Sequence, residues 1–139
     1  MTAVATKVGQ RPSSLLDVAR LVNAGRDFGP TLAEFLDEAR LMDRVRLESA
    51  MSSEPGSINK SPDGRDGWQD AYLAAVAEHL SREFGATIPE WTEQASRFLS
   101  KAWFDNQGLK SLNAMMVAES PLAFRRRFIF TEARPLRRA

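Results

Sequence analysis

Apolar residues recur at helical spacing along most of the chain, and glycine, proline and small polar residues separate the apolar stretches. The first stretch predicts a helix over residues 13–25 that ends at Gly25, because glycine accepts the left-handed conformation of a helix C-cap. A second helix is predicted to start with a capping box formed by Thr31 and Glu34, and its apolar stripe continues as far as Val45. The first third of the chain is therefore predicted to hold two helices.

The longest regular stripe predicts a third helix over residues 67–84, with Gly85 as its end. Its apolar positions recur every four residues: Trp68, Tyr72, Val76, Leu80 and Phe84. Pro89 predicts the first turn of a short fourth helix, and a fifth helix is predicted over residues 108–119. A short sixth helix is predicted to start at Pro121, followed by an extended or docked hydrophobic end. No β-hairpin is predicted, so the fold class is all-α, a single compact bundle of five to six helices.

Residues 52–67 are rich in Pro, Gly, Ser, Asn and Asp and show no apolar periodicity, which predicts a flexible linker. The linker divides the chain into a predicted N-terminal helical hairpin, residues 1–51, and a predicted C-terminal helical core with a basic tail, residues 68–139.

Composition excludes several classes of function. The chain has 139 residues and no cysteine, which rules out disulfides, thiolate metal sites and cysteine nucleophiles. No apolar run approaches the roughly 20 residues that a membrane span needs, and the first residues lack the apolar core of a secretory signal. We therefore expect a cytoplasmic protein.

The charge is distributed unevenly. The last twenty residues carry six arginines and one glutamate, a net charge of +5, whereas the other 119 residues carry a net charge of −4. Apolar residues flank the arginines on both sides, which a purely electrostatic arm would not need. The pattern predicts a segment that docks apolar side chains and presents arginines, either to a partner or to the acidic remainder of the chain. The predicted partner contacts are Phe124, Arg125, Arg126, Arg127, Phe128, Phe130, Arg134, Arg137 and Arg138.

Candidate catalytic and metal-binding residues are few. His79 is the only histidine, and without a second histidine or a cysteine it is interpreted as a partly exposed helix residue rather than a metal ligand. A general-base site formed with Glu78 and Glu83 is the remaining enzyme hypothesis. Clustered acids are interpreted as solvated helix faces, and no nucleotide-binding or hydrolase motif occurs. The chain is therefore predicted to be no enzyme and to bind no cofactor and no metal.

A nucleic-acid-binding regulator that uses the basic tail is the alternative prediction, and its affinity would fall steeply with salt. A helix-turn-helix over residues 13–47 fits poorly, because the gap between the two helices is long and the second helix starts with acidic residues. The aromatic residues fall on core-like periodicities rather than between basic residues, so they are interpreted as core: Trp68, Tyr72, Trp91, Trp103 and Phe104.

Residues 74–80, 89–92, 103–104 and 119–130 resemble a family of small helical actinobacterial proteins. Those proteins are similar to ones encoded beside predicted nucleotidyltransferases, an arrangement that suggests a toxin–antitoxin pair. The resemblance covers about half the chain, mostly after the linker, and it implies no catalytic residues. Together with the charge pattern, it predicts a non-enzymatic, antitoxin-like module that binds a partner protein, such as a toxin enzyme, through apolar helix faces and the Arg-rich segment.

Overall fold

The computed structural model describes residues 11–58, 67–106 and 108–132. These residues contain six α-helices: Leu15–Asn23 (α1), Phe28–Ala39 (α2), Arg44–Ser52 (α3), Trp68–Phe84 (α4), Asn113–Glu119 (α5) and Leu122–Arg125 (α6). Three short 3₁₀ helices also occur: Glu90–Glu93, Ala95–Arg97 and Lys110–Leu112. Two strands, Trp103–Phe104 (β1) and Ile129–Phe130 (β2), form a small parallel pair. The predicted all-α class and the helical bundle are confirmed.

The central element is α4, which is enclosed on nearly all sides. Every residue from 70 to 78 is buried, and alanine occupies four of these positions, which lets neighbouring elements approach the helix closely. α6 packs against one side, and the 3₁₀ helices Glu90–Glu93 and Ala95–Arg97 also pack on it. The predicted boundaries are confirmed, because Gly67 and Gly85 flank the helix in left-handed conformations. One consequence is that Glu78 lies where water cannot reach its carboxylate.

The predicted second helix is wrong in two respects. α2 starts at Phe28, so Thr31 lies inside the helix and is buried instead of forming the predicted capping box. The helix ends at Ala39, and Asp43 starts a separate helix, α3, by accepting a hydrogen bond from the backbone N–H of Arg46. The described part of the predicted hairpin therefore contains three helices, because a side-chain cap interrupts the apolar stripe.

One hydrophobic core spans both sides of the predicted linker. The ring of Phe28 contacts the rings of Trp68 and Tyr72 edge-on, at centroid distances of 5.3 and 5.8 Å. The described part of the linker is attached to the same body, since Asp70 accepts hydrogen bonds from the Ser57 hydroxyl and the Ile58 N–H. The rest of the predicted linker, residues 59–66, lies outside the described residues, as do residues 1–10.

The predicted extended end after α6 is confirmed as strand β2. Phe130 lies opposite Phe104 of β1 in parallel register, and the two rings stack at 5.0 Å. The N–H of Trp103 donates to the carbonyl of Phe128 at 2.8 Å, which continues the pairing. Residues 99–106 thus pair with the C-terminal segment instead of extending the predicted fourth helix. The predicted fifth helix is a 3₁₀ turn followed by α5.

We expect Gly85→Ala to lower the free energy of unfolding by about 1–2 kcal/mol, because Gly85 has φ of 70° and a Cβ is disfavoured in that conformation. Gly29→Ala is the matched control, since Gly29 lies in α2 with no atom within 4 Å of the added Cβ. That change should leave stability unchanged or raise it by up to about 1 kcal/mol. Urea unfolding of the two variants measures both effects, and equal shifts would contradict the assignment of Gly85 as a C-cap.

Candidate functional site

The structure separates the predicted partner contacts into buried and exposed residues. Phe124 and Arg127 are fully buried, and Phe130 is partly buried against Phe104. Arg125, Arg126 and Phe128 are exposed, whereas Arg134, Arg137 and Arg138 lie outside the described residues. The partner-binding role stays a prediction, but Phe124 and Arg127 fill the interior of this chain and are not available on its surface.

Arg127 is buried because it pairs with Glu78. Its Nη1 donates to the Glu78 carboxylate at 2.6 Å and to the carbonyl of Ala123 at 2.7 Å. Its Nη2 donates to the carbonyl of Thr92 at 2.9 Å. One guanidinium therefore joins α4, α6 and the 3₁₀ helix Glu90–Glu93. Internal docking, one of the two outcomes predicted for the Arg-rich segment, occurs at this residue.

Arg126 extends this arrangement toward the surface. It donates to Glu78 at 2.7 Å and forms a two-bond contact with Glu93 at 2.8 and 3.0 Å. Arg82 binds the second oxygen of Glu78 from one helical turn away, at 2.9 Å. The ring of Phe98 lies against the guanidinium groups of Arg126 and Arg127. We call this set the Glu78 cluster: Glu78, Arg82, Glu93, Arg126 and Arg127.

The electrostatics keep both members of the central pair charged. Burial alone would raise the pKa of Glu78, but hydrogen bonds from Arg127, Arg82 and Arg126 outweigh it and hold that pKa below its ordinary value. Burial also lowers the pKa of Arg127, and Glu78 opposes that shift. Because arginine titrates far above neutral pH, it stays a cation here.

The enzyme hypothesis, a carboxylate site around His79, stays a prediction. Glu78 is occupied by three arginines and has no contact with solvent. His79 is partly buried with its ring edge-on to Phe124 at 5.9 Å, and burial lowers its pKa. Glu83 is exposed on the surface of α4. Of the two acids beside His79, Glu78 is thus bound by arginines and Glu83 lies at the surface.

Ala102 and Trp103 contribute to the lining of two cavities. One, of about 620 Å³, is lined by the stacked rings of Trp68 and Trp103, by Asp70 and by small polar residues. The other, of about 480 Å³, is lined by Trp103, Phe104, Asp105 and further residues up to Asn113. In the described part of the chain, no group of three or more His, Asp or Glu side chains could hold a metal ion.

Exposed apolar side chains concentrate near the C-terminal end of the described chain. Eight large apolar residues of the described ranges are exposed, and five of them fall within residues 109–128, which we call the docking segment. These five are Leu109, Met115, Val117, Leu122 and Phe128. Phe128 is also the one non-glycine residue of the described chain with positive φ, at 63°. The docking segment is the strongest candidate for an interface.

The sequence carried a signal for the Glu78 cluster that the pattern analysis did not use. Seven consecutive apolar residues, from Ala71 to Ala77, precede Glu78, and such a run predicts a helix buried on all sides. A carboxylate at the end of that run needs a buried cation. The buried Arg97 was also missed; it lies over the ring of Trp91 and donates to the carbonyls of Pro55 and Asp70.

Comparison with known proteins gives no relatives: no family model, no curated protein and no solved structure matches this chain. Among the described helices, none combines the length and the apolar character needed to cross a bilayer.

We expect Arg127→Met to lower the free energy of unfolding by about 3–5 kcal/mol, because it removes the buried counter-charge of Glu78. Arg82→Met is the matched control: it also removes a partner of Glu78, but the Arg82 side chain is 52% exposed, so the loss should stay below about 1 kcal/mol. Urea unfolding compares the two variants. The loss of unfolding free energy in the double variant Glu78→Leu/Arg127→Met should be smaller than the sum of the losses in the two single variants. A loss equal to that sum would argue against direct pairing of the two side chains.

Stability should fall at acid pH through the same pair. The folded pKa of Glu78 lies below the unfolded value, so the contribution of the pair is complete above about pH 5 and is lost as the pH falls through the folded pKa. Unfolding free energies between pH 6 and pH 3 measure the slope. We expect a shallower slope for Arg127→Met, and an unchanged slope would show that Glu78 does not depend on Arg127.

Proposed function

We propose that the chain is a non-enzymatic protein-binding module that docks a partner through the exposed apolar side chains of the docking segment. The observation that carries this proposal is the conformation of Phe128. The left-handed conformation costs a non-glycine residue about 1–2 kcal/mol, and glycine or asparagine would occupy this position after α6 at lower cost. Phe128 is 47% exposed, so much of this residue is available for contact with a partner.

The neighbours of Phe128 hold its backbone at a defined position. Arg127 and Ile129, on either side, are both fully buried. The N–H of Phe128 donates to the carbonyl of Arg125, and its own carbonyl accepts from Trp103. A backbone anchored in this way loses little conformational freedom on binding, which favours affinity. Aromatic residues are also enriched among the side chains that dominate protein interfaces.

The proposed partner is a protein, and the resemblance to proteins encoded beside predicted nucleotidyltransferases suggests a toxin enzyme in an antitoxin-like pairing. The proposed location is the cytoplasm, in keeping with the absence of cysteine. Two arginines that were predicted to face the partner, Arg126 and Arg127, are engaged inside the chain by Glu78 and Glu93. The proposed contact set therefore centres on Phe128, Leu122 and the exposed Arg125.

The nucleic-acid alternative depends on Arg134, Arg137 and Arg138, since the Glu78 cluster neutralises two of the remaining arginines of the last twenty residues. The two functions differ in salt dependence. Binding through phosphate contacts weakens steeply as salt rises, whereas burial of apolar side chains does not.

Capture of partners by the tagged full-length chain after nuclease treatment, followed by mass spectrometry, tests the proposal. We expect a stoichiometric protein that remains bound at high salt. Phe128→Gly should weaken its binding at least about tenfold, while the free energy of unfolding stays unchanged or rises because glycine relieves the left-handed strain.

Phe84→Ala is the matched control, because Phe84 is also about half exposed, at 49%, and lies outside the docking segment. It should leave partner affinity unchanged. Equal affinity of the wild type and Phe128→Gly would contradict the proposed contact. Recovery of nucleic acid alone, released by nuclease or by salt, would favour the alternative function.

A further inference from the structure

We propose that the turn between α2 and α3 binds the surface of an anionic lipid membrane. The turn and the start of α3 expose two aliphatic side chains: Leu41 is 82% exposed and Val45 is 72% exposed, the two highest values among the large apolar residues of the described chain. They lie four positions apart, so their Cα atoms are no more than about 14 Å apart. We call residues 40–46 the basic turn. It lies outside the docking segment, and binding to lipid there needs no partner protein.

The buried side of α3 fixes the direction of Val45. α3 buries Leu47 and Met51 in the core. A helix turns by about 100° per residue, so Val45 is about 200° away from Leu47 and faces away from the core. The outward face continues with Ser49 and Ser52, both exposed, which confines the apolar surface to the start of the helix. So small an apolar area suits the insertion of two side chains into a lipid surface better than a protein interface, which buries roughly 800 Å² on each partner.

The charges of the basic turn lack partners. Residues 40–46 carry three arginines and one aspartate, a net charge of +2. Two of the arginines, Arg44 and Arg46, are exposed, and within the described residues their guanidinium groups form neither an ion pair nor a hydrogen bond. The aspartate, Asp43, caps α3 by accepting a hydrogen bond from the backbone. The phosphates and carboxylates of anionic lipids would supply the missing counter-charge.

The position of these arginines also opposes the stability of α3. Arg44 is the first residue of the helix and Arg46 is the third, and the first turn holds no acidic residue. The helix dipole is positive at this end, so an acidic side chain would be favourable there and a cation is not. A charge that is unfavourable for the local structure is expected where a function requires it.

The combination of side chains favours lipid over a nucleic acid. The phosphates of a nucleic acid would bind the arginines but would leave Leu41 and Val45 in water. At a membrane surface, basic side chains bind the headgroups while neighbouring aliphatic side chains enter the boundary of the acyl chains. Such contact needs no membrane-spanning helix. The cytoplasmic leaflet is the anionic one, and it faces the proposed location of the chain.

Co-sedimentation of the full-length chain with lipid vesicles tests the basic turn. One set of vesicles is phosphatidylcholine alone, and the other contains about 30% phosphatidylserine. We expect binding to the anionic vesicles that weakens as salt rises, and little binding to the neutral vesicles. Leu41→Ser/Val45→Ser and, separately, Arg44→Gln/Arg46→Gln should each lower the partition coefficient at least about tenfold. Neither double variant should be less stable in urea, because all four side chains are exposed.

Two matched variants serve as controls. Phe84→Ser removes a half-exposed apolar side chain outside the basic turn. Arg20→Gln/Lys101→Gln removes two exposed cations outside it, so its net charge equals that of Arg44→Gln/Arg46→Gln. We expect both control variants to bind the anionic vesicles within about twofold of the wild type.

The arginines near the C-terminus are a second source of positive charge, so the test is repeated in a variant with Arg134, Arg137 and Arg138 changed to alanine. Leu41→Ser/Val45→Ser should still weaken binding at least about tenfold in that background. Four outcomes would overturn the proposal: no binding to anionic vesicles, equal binding to both kinds of vesicle, wild-type binding by either basic-turn variant, or binding that the three-alanine variant alone abolishes. Binding of a DNA duplex through Arg44 and Arg46, without vesicle binding, would make a phosphate backbone the occupant instead.

Discussion

The fold depends on the buried ion pair between Glu78 and Arg127. α4 is enclosed so completely that Glu78 has no route to water, and an unpaired carboxylate there would strongly destabilise the chain. Arg127 satisfies the carboxylate and also binds backbone carbonyls of two neighbouring segments. Such a pair adds little net stability compared with well-packed apolar residues. Its effect here is selective, because a shift in the register of the C-terminal segment would move Arg127 away from the buried carboxylate of Glu78.

This pairing determines which side chains near the end of the described chain face the core and which face solvent. Arg127 and Ile129 point into the core, so the ring between them, Phe128, must face outward. The backbone reverses at that residue with positive φ and then enters strand β2. An arm held only by electrostatics would be loosely ordered, whereas this segment presents a fixed apolar surface. The charge asymmetry of the sequence is thus partly an internal property, since the acidic body holds two of the arginines.

The features that were predicted correctly depend on short stretches of chain. The boundaries of α4 follow from its periodicity and its two flanking glycines, and the extended end follows from its apolar run. The predicted second helix was too long for a related reason. Its apolar stripe continues across Asp43, but the side chain of Asp43 caps the start of a separate helix. Thr31 and Glu34 are the correct residue types for a capping box, but Thr31 lies buried in the core.

The sequence by itself determined the helical class, the limits of the central helix and the basic character of the C-terminal end, because periodicity, caps and composition are local properties. Only the tertiary structure decided which of three adjacent arginines is buried, which is paired at the surface and which is exposed. α6 is four residues long, too short for its periodicity to orient Arg125, Arg126 and Arg127. Their roles depend on the position of Glu78, which lies 49 residues before Arg127 in the chain and meets it only after folding.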